Sequence, residues 1–211
     1  MRAAAGLKQG KPWGLFPGTI RLDETFDESA LLEAVNGGFS ILHVATHFDL
    51  RPGNDTDSHL LLGTGDRLSL RELRERALDL RHLDMLTLSA CNTAMGGAGA
   101  QGAEIEGMGT IVQRQGARAV IANLWSVADR STGLLMQTFY ALRSDNPQMT
   151  KSEALQQAQL SLLQGEAFDP GALAKRGLVL DHPLPHERVV SDRSYSHPYY
   201  WAPFILMGNW L

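Results

Sequence analysis

One cysteine, Cys91, in 211 residues leaves no partner for an intrachain disulfide and no set of thiolates for a zinc cage. Packing or reactivity must explain it. No run approaches the roughly 20 apolar residues that span a bilayer. The longest candidate, Tyr199 to Leu211, is short and broken by Pro203, Gly208 and Asn209. The opening Met1-Arg2-Ala3-Ala4-Ala5-Gly6-Leu7-Lys8 lacks the apolar stretch of a signal peptide. No block of basic residues occurs either: 19 Lys and Arg stand against 23 Asp and Glu, a net charge of −4, with an isoelectric point near 6.0. That balance argues against a nucleic-acid partner. Repeats and low-complexity segments are also missing. What remains is 44% hydrophobic and 20% charged, enough for a single-domain core. The expectation is a soluble, cytoplasmic chain with no membrane partner.

Residues 1–24 hold Gly6, Gly10, Pro12, Gly14, Pro17 and Gly18, too many breakers for a helix, and are read as an irregular lead-in. From Thr25 the signals sharpen. Thr25-Phe26-Asp27-Glu28 has capping-box spacing, and Leu31, Leu32 and Val35 share a face before Gly37-Gly38. Phe39 to Thr46 then reads as a buried strand followed by a long polar loop. Leu60 to Leu62 is a short strand, and Ser69-Leu70-Arg71-Glu72 a second capping box. Asp84 to Ala90 is a second core strand, followed by Cys91 and a loop with Gly96, Gly97, Gly99 and Gly102. Ala103 to Gln115 reads as a helix closed by Gly116, and Arg118 to Trp125 as a third core strand. Helices from about Asp129 to Arg143 and from Thr150-Lys151-Ser152-Glu153 follow, then a polar loop and a last strand near Pro203 to Met207.

Strands alternating with helices predict an α/β fold, a mostly parallel sheet with helices on both faces, whose ligands bind beyond the carboxyl ends of the strands. Those ends deliver His47 with Phe48, Cys91 with Asn92, and Trp125 with Ser126. A cysteine attacks a carbonyl as its thiolate, and a free thiol ionises only near pH 8.5, so a nearby imidazole is needed. His47 can take the thiol proton and return it to a leaving amine. The amides of Cys91 and of a residue just after His47 are placed to bind an oxyanion. The plainer readings are a packed thiol and a histidine satisfying a loop carbonyl. A metal is not expected. His43 and His47 sit on a strand, without the glutamate of a zinc-hydrolase helix or a third ligand. Nor does the glycine loop end in the Lys-Ser/Thr of a phosphate-binding loop. No organic cofactor is implied.

Four blocks, Ile41 to His47, Leu88 to Ala94, Ala119 to Asp129 and His197 to Phe204, occur in an order that resembles a CHAT domain, from about Pro17 to Leu211. That family belongs with the caspase-like cysteine peptidases and separases. The resemblance implies a catalytic His47, a nucleophilic Cys91, and oxyanion amides from Phe48 and Cys91. It implies substrate-cleft candidates at Asn92, Glu104, Trp125, Ser126 and Asp129. Glu104 with Glu106 is one reading of an acidic wall for a basic substrate residue. No arginine suited to an acidic one is identified from sequence. The domain expected is 25–211.

Two departures stand out. Phe48 occupies a position where many caspase-like enzymes carry glycine, and Asn92 one where many relatives carry Glu. Caspase-like sheets also begin with strands ahead of the helix before the His strand, and only the lead-in is available here. The expectation is a sheet without its first N-terminal strands, either because the chain is part of a longer protein or because another chain completes the edge. The leading expectation is an endopeptidase acting on a protein or peptide substrate, regulated by a partner chain or an attached helical-repeat module. A non-catalytic interaction module is the alternative, and a small-molecule acyltransferase or amidase a third.

Overall fold

The computed structural model describes residues 5–8, 11–14, 16, 18–49, 51, 54–76, 78–89, 111–165 and 193–211. Its strands are β1 (Ala5–Lys8), β2 (Lys11–Gly14), β3 (Ile41–Val44), β4 (Phe48–Asp49), β5 (His59–Leu61), β6 (Arg67–Ser69), β7 (Met85–Leu88), β8 (Ala119–Asn123) and β9 (Phe204–Gly208). Its helices are α1 (Glu28–Asn36), α2 (Leu70–Glu75), α3 (Asp129–Asp145) and α4 (Lys151–Gln164). Within the span read as one domain, the chain divides into two compact units.

The first unit, residues 21–127 and 203–210, carries a four-stranded sheet in the order β3-β7-β8-β9. β3, β7 and β8 run parallel and β9 antiparallel, so the expected mostly parallel α/β fold is present. β7 and β8 are buried along their whole length, the near-continuous apolar pattern of strands covered on both faces. On one face Val44, Leu86, Leu88, Val120 and Ala122 join a core with Leu31 and Val35 of α1 and Leu70 and Leu73 of α2. The opposite face is buried too, at Met85, Thr87, Ala119 and Ile121.

Local chemistry sets the helix ends. Ser69 and Glu72 form the expected capping box at α2. The box read at Thr25 is corrected: Asp27 caps α1, accepting from the Ala30 amide, because the Thr25 hydroxyl turns back to the Leu22 carbonyl. The strand read at Leu60 to Leu62 is present as β5, and it pairs with two strands the sequence reading did not include, β4 and β6, in a three-stranded antiparallel sheet. Residues 111–114 are helical, and Gly116, at φ +109°, turns the chain into β8. The rest of the helix expected at 103–115 lies outside the described residues.

The second unit, residues 1–20, 128–202 and Leu211, holds α3 packed on α4, with Phe139 and Leu135 fully buried on α3 and Ala154 and Ala158 on α4. The second expected capping box, Thr150 with Glu153, opens α4. Lys151 is 1% exposed, its Nζ donating to the Leu211 carbonyl. β1 and β2 pair as an antiparallel hairpin, so the stretch read as irregular contains ordered strands. Among the described residues, no helix is long and apolar enough to cross a membrane.

Candidate active site

The parallel ladder brings three strand ends to one level. Val44 of β3 stands opposite Leu88 of β7, and Leu88 opposite Ala122 of β8. Beyond Val44 the chain is held rather than free. The Thr46 hydroxyl donates to the Leu61 carbonyl at 2.6 Å, and the Leu61 amide donates to the His47 carbonyl at 2.9 Å. With its backbone fixed to β5, His47 keeps its side chain exposed. Phe48, the next residue, is 7% exposed and anchors β4 opposite Leu60. In an antiparallel pair the bonded and non-bonded positions alternate. Since His47 takes the Leu61 amide, Phe48 faces Leu60 as a non-bonded pair, and its N–H points away from β5.

From β7 the chain leaves the same edge. Ser89 extends the ladder one step, its amide donating to the Val44 carbonyl at 2.9 Å. The Ser89 hydroxyl lies 3.2 Å from Nε2 of His43. His43 is partly buried, and that loss of water lowers its pKa from the ordinary 6.5 to about 4, so the ring is uncharged at neutral pH. A neutral imidazole has one donor and one acceptor nitrogen, so Nε2 either donates to the hydroxyl or accepts from it. Thr87, opposite His43 in register, is on the same face and fully buried.

The other residues picked from the sequence are placed as follows. Trp125 and Ser126 follow β8 and are partly buried, and the Leu124 amide before them donates to the Pro203 carbonyl at 2.9 Å. Asp129 is in the second unit, exposed, in the first turn of α3. It does not cap that helix, since Ala128 holds the cap position. Cys91, Asn92, Glu104 and Glu106 lie outside the described residues. Among the described residues, no group of three His, Cys, Asp or Glu side chains could hold a metal ion.

Sequence reasoning missed two features. The first is the His43–Ser89 contact. Its signal was parity, because His43, Thr87 and Ser89 share a face only once the register is known. The second is an open polar cavity of about 650 Å³ on the β4-β5-β6 sheet, lined in part by Arg51, Arg67, Arg71, Asp49, His59 and Glu72. Arg51 lies 3.3 Å from Asp49 and Arg71 3.6 Å from Asp55, so the guanidiniums sit among carboxylates. The cavity is therefore close to charge-balanced. Hydrogen bonds from Ser69 hold the Glu72 carboxyl below its usual pKa.

The sequence model of one protein family, described as the CHAT domain, matches residues 3–209, nearly the whole chain. The match begins ahead of Pro17 and takes in the β1-β2 hairpin. No curated protein matches.

Proposed function

Because the chain belongs to the CHAT domain family, and so to the caspase-like superfamily, we propose that it is a cysteine endopeptidase of the caspase and separase type. Cys91 is the nucleophile and His47 its base and acid. In acylation the Cys91 sulfur bonds to the peptide carbonyl carbon while His47 takes the thiol proton. As the C–N bond breaks, His47 gives that proton to the leaving amine. Water then attacks the thioester carbon while His47 accepts its proton, the C–S bond breaks to release the acid, and His47 returns the proton to the Cys91 thiolate. The Phe48 and Cys91 amides hold the oxyanion in both steps.

One observation carries this reading. Val44 and Leu88 are a registered parallel pair, and His47 and Cys91 are each the third residue beyond it. Support for the oxyanion role of Phe48 comes from its N–H, which points away from β5 although the side chain is buried. A packed histidine closing a strand would not need an exposed ring on a doubly anchored backbone. Trp125, Ser126, Asn92 and Glu104 are the residues proposed for the substrate cleft. The substrate is a protein or peptide, the site of action the cytoplasm, and control falls to a partner chain or attached helical-repeat module.

A second reading is supported by β3, which among the described residues pairs only with β7 and so leaves one edge open. On that reading the domain binds a protein without cleaving it. Hydrolysis of a diverse peptide library by wild type and Cys91→Ala separates the two. Cleavage by wild type that Cys91→Ala abolishes is expected. Equal residual rates in both would overturn the peptidase and leave the interaction module.

A further inference from the structure

We propose that His43 and Ser89 form a positioning pair that sets the approach of the Cys91 arm to His47; this rests on the cysteine-peptidase reading above. His43 stands opposite Thr87 across β3 and β7, and Ser89, two residues on, falls on the same face. Ser89 is then tied to β3 twice, through its amide to the Val44 carbonyl at 2.9 Å and through its hydroxyl to His43 Nε2 at 3.2 Å. One residue separates Ser89 from Cys91.

The other arm is fixed just as closely. Beyond β3 the chain passes through Thr46, whose hydroxyl reaches the Leu61 carbonyl, to His47, whose carbonyl takes the Leu61 amide. The His43–Ser89 contact therefore joins the strand that delivers the nucleophile to the strand that delivers the base. A backbone bond alone holds height along the ladder. A side-chain bond two residues before the cysteine also restrains how the chain turns as it leaves the sheet. Burial keeps His43 neutral, so it holds the hydroxyl without adding a second positive charge at the edge where a His47 imidazolium forms during acylation.

The test reads Cys91 itself, since it is the chain's only cysteine and iodoacetamide reports on one thiol. The alkylation rate constant at neutral pH is measured in the native His47 background and in His47→Ala. The ratio of the two is the His47 contribution. Ser89→Ala and His43→Leu are each expected to lower that ratio about five-fold, the equivalent of one ordinary hydrogen bond. In the His47→Ala background neither is expected to change the rate. Ser89→Thr restores a hydroxyl, and His43→Gln restores an amide that can play either role of Nε2, so both are expected to recover most of the ratio. The double variant Ser89→Ala with His43→Leu is expected to be no lower than either single variant.

An unchanged ratio in Ser89→Ala and His43→Leu would overturn the pair while leaving the dyad standing. A fall that is equal in both His47 backgrounds, or that the conservative variants fail to recover, would reduce it to a structural contact and overturn it as well. If wild type and His47→Ala alkylate alike, the dyad fails first and the pair with it. Should His43→Leu not fold, Ser89→Ala against Ser89→Thr carries the same comparison.

Discussion

His43 is asked to be polar and uncharged at once. Its ring meets the Ser89 hydroxyl in a partly buried place where an imidazolium is poorly solvated, and its pKa falls to about 4. That shift has a sign in stability. In the unfolded chain the ring protonates near pH 6.5. As pH falls from 6.5 towards 4, the unfolded state therefore binds the proton that the folded state refuses, and stability drops throughout that window. By pH 5 the loss from this one group is about 2 kcal/mol. His43→Gln keeps a hydrogen-bonding side chain and removes the titration. Urea unfolding at pH 7 and pH 5 should therefore show a smaller loss in His43→Gln than in wild type. Parallel losses in the two proteins would show that burial of this ring does not contribute to acid sensitivity.

Among the elements, the β5-β6 turn meets the short 3-10 turn at Asp23–Thr25 at one glycine. The Gly63 amide donates to the Phe26 carbonyl at 2.8 Å, and a Cβ at Gly63 would lie 1.7 Å from the Asp23 carbonyl oxygen. Both obstacles are backbone, so no side chain can swing away. Gly65, two residues on, has φ +89° but open space around a Cβ. Gly65→Ala is expected to cost about 1 kcal/mol from backbone conformation alone. Gly63→Ala is expected to cost roughly 2 kcal/mol or more, because the turn must back away and lose its hydrogen bond. Equal losses in denaturant unfolding would contradict the close approach.

What the sequence disclosed about the elements follows the range of the forces involved. Ser69 with Glu72 and Thr150 with Glu153 are complete within four residues, and both capping boxes formed as read. Thr25 with Glu28 has the same spacing, yet Asp27 caps α1, because a rival hydrogen bond to Leu22 was equally local and the pattern cannot rank the two. The parallel strands were legible because burial on both faces produces long apolar runs. β4 was not, since two residues are too few to show an alternation. β1 and β2 were masked by Gly6, Pro12 and Gly14, which read as breakers although the chain pairs straight through them.

At the scale of the whole molecule, the His47 arm followed from strand ends alone. The His43–Ser89 contact did not, because cross-strand register is a property of the assembled sheet. The same register supports the proposed pairing of His47 with Cys91, and the CHAT family match covers residues 3–209. With a single cysteine in the chain, the claim reduces to the ionisation of one thiol. The most direct measurement is therefore the pH profile of Cys91 alkylation by iodoacetamide, in wild type and in His47→Ala. Wild type is expected to react with a midpoint well below the free-thiol value of about 8.5, and His47→Ala to shift that midpoint upward by about one unit or more. Superimposable profiles with a midpoint near that of a free thiol would mean that His47 does not act on Cys91, and would contradict the dyad.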